Sequence, residues 1–269
     1  MTLSQAAVLA IVQGCTEFLP VSSSAHLVLV PWFLGWTPHE LVFDTTVHLG
    51  TLTAVIFYFG EDLARLLKGW VSSLRPQGLV KNPEGQLAWW IILGTIPAAL
   101  LGYLFHDFFE ALFGQPRWIA LFLLVTACLL LVCEGLGRRH RDLVQMRSGV
   151  ALGIGIAQAV AIAPGISRSG ATIAAAMLFG LKREASARFS FLLSIPIILG
   201  AGTYQVLKVS RHGIPLDVVM PYMIGFGVAA VVGYVCIHLF LAYLRRNSLY
   251  PFALYCALVG VVVLARMLL

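Results

Sequence analysis

The chain has 269 residues, of which 59% are hydrophobic and only 11% charged; with a mean hydropathy of +0.90 this excludes an ordinary soluble domain, where about a quarter of residues carry charge. The net charge of +6 does not mark a nucleic-acid binder, because the basic residues sit in short loops between apolar spans rather than in one patch with interleaved aromatics. The five cysteines, odd in number and mostly set in apolar runs, suggest small core hydrophobes rather than a disulfide framework or a metal site.

From the N-terminus, the first basic residue is Arg65, so no charged n-region precedes the apolar start and a retained N-terminus is expected. Residues 2–35 form an apolar region interrupted near its middle by Pro20 and three serines. Stretches long enough to cross about 30 Å of hydrocarbon as helix follow: 42–60, 87–106, 117–134, 187–207, 219–242 and 250–268. A second interrupted region, 149–180, is broken at Pro164-Gly165. Each arm of the two interrupted regions is too short to cross, so each is expected to be a re-entrant helical hairpin, tolerated in a membrane only where it is buried in protein or lines a cavity.

The expected fold is therefore all-α: a polytopic membrane protein of six transmembrane helices and two re-entrant hairpins in one membrane domain over 1–269. Its halves are 1–134 and 149–269, joined by a basic cytoplasmic loop at 135–148. Thirteen basic residues fall on one side if the spans alternate, among them Arg65, Lys68, Arg75, Lys81, Arg138, Arg139, Lys182, Arg183 and Arg245, against four on the other. By the positive-inside rule both termini and the 107–116 loop lie outside the cytoplasm. The hairpins then enter from opposite faces. At an offset of 145 residues, Gln13 aligns with Gln158, Ser22 with Ser167 and Ser24 with Ser169, which predicts an inverted repeat with a site at its interface.

The two breaks share a scaffold and divide the chemistry. Gln13 and Glu17 are four apart on one helical face, and Ser22, Ser23 and Ser24 are suited to cap the following arm, with His26 close behind. The second break carries Gly165, Ser167, Arg168, Ser169, Gly170 and Thr172. Two helix N-termini aimed at one point, with a guanidinium beside them and glycines admitting close approach, predict an anion site suited to phosphate. Ser22, Ser24, Gly165, Ser167, Ser169, Gly170 and Thr172 are the expected substrate cradle. Ser23 offers a nucleophile, and His26 is either a general base or the nucleophile. Glu17 either orients His26 or holds a divalent cation, Mg²⁺ or Ca²⁺, with Gln13 as a neutral oxygen ligand. Asp44 and His48 share a face near the outer surface and are placed at the rim. Glu134, His106, His140, His212 and His238 are read as interfacial.

Gln13-x-x-x-Glu17 followed by Phe18-Leu19-Pro20-Val21-Ser22-Ser23 and His26, together with Pro164-Gly165-Ile166-Ser167-Arg168-Ser169-Gly170-Ala171-Thr172, resembles the undecaprenyl-diphosphate phosphatase, or bacitracin-resistance, family of bacterial membranes. The resemblance covers nearly the whole chain. It implies hydrolysis of undecaprenyl diphosphate to the monophosphate carrier lipid and phosphate, divalent-metal dependence, an inner-membrane location and a site open to the periplasm. It also implies that Glu17, Ser23, His26 and Arg168 form the essential set. Gln13 stands where many members carry a second glutamate, and Ser24-Ala25 where Thr-Gly is common. The expected partners are a polyprenyl diphosphate lipid, the surrounding membrane lipid and a second copy of the chain as a homodimer, with no nucleic acid. The rival reading is a secondary transporter or lipid-carrier flippase, since interrupted helices in inverted repeats suit alternating access.

Overall fold

The computed structural model describes residues 1–74, 82–112, 114–210 and 216–268. Twelve α-helices lie among them: α1 (Leu3–Thr16), α2 (Ser23–Leu34), α3 (Leu41–Tyr58), α4 (Gly60–Ser73), α5 (Pro83–Leu104), α6 (His106–Leu112), α7 (Pro116–Leu136), α8 (Ser148–Val160), α9 (Arg168–Leu178), α10 (Arg183–Ser210), α11 (Leu216–Leu244) and α12 (Tyr250–Arg266). Among the described residues no strand forms; one isolated bridge pairs Arg141 with Leu181.

Helix starts follow local chemistry. Thr2 and Gln5 form a reciprocal capping box on α1, and the Asn82 side chain accepts from Gly85 N ahead of Pro83 at the start of α5. Five helices, α3, α5, α7, α10 and α11, are long and apolar enough to cross a membrane. The chain is thus an all-helical, multi-pass membrane protein. The expected span at 250–268 appears as α12, whose 17 residues make it one of the shorter apolar helices. The basic segment after residue 60, expected as a loop, begins with α4, whose Leu66 and Gly69 pack inward where it lies against α5. Part of the 107–116 loop is likewise helical, as α6. Arg75, Lys81, Arg211 and His212 fall outside the described residues.

Between helices in lipid the driving force is close packing rather than escape from water, so small residues mark the contacts. The arm α1 packs on α11 and the arm α8 on α5. At the second contact a side chain on Gly155 would run into the backbone of Gly94, so the two helices touch main chain to main chain. At the first, a Cβ on Gly14 would lie 2.8 Å from Val232. The largest apolar cluster gathers Phe18, Phe59, Phe189, Phe191 and Phe240 between these pairs. Phe18 belongs to the first break and meets Phe191 edge to face at 5.2 Å, which anchors that break in the core.

At the helix ends opposite the breaks, Glu134 lies in the last turn of α7, as expected for a span-end residue, but is buried against protein. It receives Arg139 Nη1 at 2.7 Å, Arg183 Nε at 2.8 Å and the Leu249 N–H at 2.7 Å. The carboxylate therefore ties α7, the start of α10 and the start of α12 together. The cysteines are all free, with Cys133 and Cys256 buried and Cys128 exposed.

Candidate active site

The first break lies between α1 and α2, and the second between α8 and α9. Ser22 caps α2, its Oγ accepting from Ala25 N at 3.4 Å. Its φ of 70° is unusual for a residue with a side chain, a conformation that costs about 1–3 kcal/mol and persists only where the surroundings hold it. Ser167 caps α9 more tightly, accepting from Gly170 N at 3.0 Å. Thr126 of α7 braces this second break, accepting from Ser167 N at 3.0 Å and donating to the Gly165 carbonyl at 3.2 Å. Gly165 has φ 107°, and a Cβ there would stand 2.6 Å from the Ile119 carbonyl oxygen. Only glycine fits that position, for reasons of backbone and packing rather than ligand approach. Gly170 is an ordinary helical position where packing alone favours glycine, since a Cβ would lie 2.9 Å from the Ser167 Cβ.

The breaks meet. Ser169 Oγ donates to the Leu19 carbonyl at 3.0 Å, and Arg168 Nη2 donates to Glu17 Oε1 at 2.8 Å. The second carboxylate oxygen of Glu17 receives Ser23 Oγ at 2.6 Å and Gln13 Nε2 at 2.9 Å. His48 Nε2 lies 3.5 Å from that same oxygen, while its Nδ1 donates to the Asp44 carbonyl at 2.7 Å. The Glu17 side chain is only 4% exposed, and a carboxylate so deeply placed needs donors on both oxygens, which it has. Arg168 Nη1 also reaches the Ser190 carbonyl at 3.4 Å, and Ser190 Oγ is 2.6 Å from the Thr172 hydroxyl, so α10 fixes the guanidinium from behind.

A cavity of about 320 Å³ opens over this cluster. Its polar lining is Thr16, Glu17, Ser22, Ser23, Ser24, Asp44, Thr45, His48, Ser167, Arg168 and Ser169. A second, mainly apolar cavity of about 720 Å³ adjoins it, with Leu27, Leu41, Asp44 and Ile162 common to both and Trp32, Trp36 and Phe109 beyond. Asp44 is held by His39, whose Nε2 lies 2.5 Å from Asp44 Oδ1.

The structure thus brings Glu17, Ser23, Arg168 and the serine caps to one cavity. It adds His48, which sequence reading had left at the rim. Three residues of the expected cradle are absent from the lining, Gly165, Gly170 and Thr172, and so is the expected metal ligand Gln13. Thr172 is fully buried and bonds the Arg168 carbonyl and Ser190 instead. His26 also faces away. Its Nδ1 donates to the Ser22 carbonyl at 2.8 Å and its Nε2 accepts from the Tyr255 hydroxyl at 2.7 Å. Residues that sequence reading missed, Thr126, Ser190 and Tyr255, come from distant helices, and no local motif marks them.

As to a metal, no group of three or more His, Cys, Asp or Glu that could hold an ion occurs among the described residues. Gln13 is buried, and its Oε1 lacks a partner. Glu17, with the fully buried Gln13 beside it outside the cavity lining, is a sparse donor set, so a hard cation here would take most of its ligands from water and substrate phosphates.

The family description "Bacitracin resistance protein BacA" matches residues 6–262. The chain is 46% identical to the undecaprenyl-diphosphatase of Rubrobacter xylanophilus over the full length of both proteins. It is 45% identical to the undecaprenyl-diphosphatase of Geobacter metallireducens over 96% of each. The undecaprenyl-diphosphatase of Caldicellulosiruptor bescii is 43% identical over all of this chain and 99% of its own.

Proposed function

The chain belongs to the bacitracin resistance protein BacA family, and on that premise we propose that it is an integral-membrane phosphatase. It hydrolyses undecaprenyl diphosphate to undecaprenyl phosphate and inorganic phosphate, returning the carrier lipid to cell-wall synthesis. The observation that carries this reading is the meeting of Ser23 and Arg168, from different breaks, on the one carboxylate of Glu17 inside a cavity.

The steps follow from that arrangement. The terminal phosphate takes its place against Arg168 and the free N–H groups at the starts of α2 and α9, which supply a planar cation and two positive helix ends. Ser23 Oγ attacks the terminal phosphorus and its proton passes to Glu17 Oε2, its hydrogen-bond partner at 2.6 Å. The bond from that phosphorus to the bridging oxygen breaks, and undecaprenyl phosphate departs. Water then attacks the phosphoserine as Glu17 returns its proton to the departing Ser23 Oγ, and phosphate leaves with the oxygen and protons of that water. A divalent cation, Mg²⁺ or Ca²⁺, held by Glu17 and the Gln13 amide oxygen, would supply neutralisation of charge on the phosphate oxygens.

The topology follows the same logic. The two broken pairs, α1–α2 and α8–α9, are re-entrant hairpins of an inverted repeat. This is supported by the parallel packing of α1 on α11 and α8 on α5 and by the alignment of Gln13 with Gln158. The distribution of basic residues favours the bacterial inner membrane with the site opening to the periplasm. The apolar cavity beside the cluster takes the prenyl chain. The transporter or flippase reading is not favoured, since the relatives are named as phosphatases.

The test is phosphate release from undecaprenyl diphosphate by the purified protein, with Mg²⁺ or Ca²⁺ and with chelator. Release that requires the cation supports the reading. Movement of lipid in proteoliposomes without any phosphate released would overturn it.

A further inference from the structure

His26 is 7% exposed and does not line the cavity, so the imidazole has no face turned to a phosphate. Its contacts instead converge on one backbone group. The Ser22 carbonyl accepts from His26 Nδ1 at 2.8 Å and from His26 N at 3.3 Å. A carbonyl oxygen only accepts, so Nδ1 carries the ring proton, and the lone pair of Nε2 is taken by the Tyr255 hydroxyl at 2.7 Å. The rings stack as well, 5.6 Å apart and 11° from parallel.

What this holds is the one irregular turn beside the nucleophile. Ser22 and Arg139 are the only non-glycine residues with positive φ among the described residues, and Ser22 immediately precedes Ser23. A conformation of that kind relaxes unless it is tied at its carbonyl, and relaxation would rotate the following peptide and swing Ser23 Oγ off Glu17. The next residue of α12 touches the same break, Cys256 Sγ approaching the Pro20 carbonyl at 3.6 Å. The second break has its own hydroxyl brace from the facing helix α7, where Thr126 holds Ser167 N and the Gly165 carbonyl directly. The helices α7 and α12 pack on each other, so two neighbouring helices brace the two breaks.

Resting on the reading of Ser23 as the attacking group, we propose that Tyr255 is a positioning residue for the reaction. It acts through His26, which clamps the Ser22 carbonyl and aims Ser23 at Glu17. His26 in this arrangement neither attacks phosphorus nor removes a proton from the nucleophile.

The experiment uses the purified full chain with Mg²⁺ and a prenyl diphosphate, read as phosphate release. Loss of activity in Ser23→Ala establishes the premise, and full activity there would sink the premise separately. Tyr255→Phe keeps the stacked ring and removes only the hydroxyl; it is expected to lower kcat roughly tenfold with KM unchanged. His26→Asn places an amide nitrogen where Nδ1 stands but leaves Tyr255 no ring nitrogen to bond, so its kcat is expected to match that of Tyr255→Phe and to exceed that of His26→Ala. Tyr255→Phe should add nothing in the His26→Ala background. Wild-type kcat in Tyr255→Phe, or a folded His26→Asn as inactive as His26→Ala, would overturn the proposal. Should Tyr255→Phe not fold, His26→Asn decides it: wild-type kcat there overturns the role of Tyr255, and a kcat no better than that of His26→Ala overturns the clamp.

Discussion

Arg168 and Glu17, 151 residues apart in the chain, join at 2.8 Å with the arginine donating. The pair links the second break to the first and leaves further guanidinium N–H groups for a ligand. Replacing Arg168 by Lys keeps the charge and removes the planar fork. A fall in kcat/KM of about 10²–10³-fold is expected, in protein that still elutes as a single species in detergent.

Ser23 is the cavity hydroxyl bonded to Glu17. Ser23→Ala should lower kcat by about 10³-fold or more while substrate still raises the melting temperature, because binding rests on Arg168 and the helix ends. Thermal shifts with and without lipid diphosphate separate the two effects.

His48 turns its Nε2 toward the same carboxylate oxygen from α3. His48→Ala is expected to reduce kcat by roughly 10²-fold, the lower range for a side chain that assists proton movement, with little change in KM. Steady-state kinetics on a soluble short-chain prenyl diphosphate measure this.

Gly165 combines a φ of 107° with a backbone oxygen 2.6 Å from where a Cβ would be. Gly165→Ala should therefore destabilise the protein by about 1–3 kcal/mol and displace Ser167 and Arg168 with it. Unfolding followed in detergent, alongside activity, should show both losses together.

Glu134 presents the opposite profile. It lies outside the cavity lining and holds Arg139, Arg183 and the Leu249 N–H. Glu134→Ala leaves partly buried cations unpaired and should lower stability by about 3 kcal/mol. The remaining folded protein should keep its turnover, which active-site titration would reveal.

Much of this architecture was legible in the sequence because its causes are local. Apolar runs of membrane length became α3, α5, α7, α10 and α11, and prolines with serines marked both interruptions. The partition of a carboxylate to one break and a guanidinium to the other already suggested a shared site. What could not be read was side-chain direction. His26, three residues after Ser23, looked like its partner, yet it is claimed by Tyr255, 229 residues away. His48 was expected with Asp44 at the rim, but the spacing alone could not show that its ring would reach Glu17 itself. Gly165 and Gly170 looked like openings for a ligand, when the space they leave is filled by Ile119 and Ser167.

The near contacts of Gly14 with Val232 and of Gly155 with Gly94 have a bearing on traffic. They weld the first arm of each broken pair to a long helix, leaving no gap there wide enough for an isoprenoid tail. Among the described residues the apolar cavity that adjoins the polar cluster is bounded by Trp32, Trp36 and Phe109, a place that fits such a tail. A tail lying in that cavity would enter and leave on the same side. Withdrawal of the spent carrier would then have to precede the next diphosphate, and a slow withdrawal would show as a burst of phosphate ahead of steady turnover.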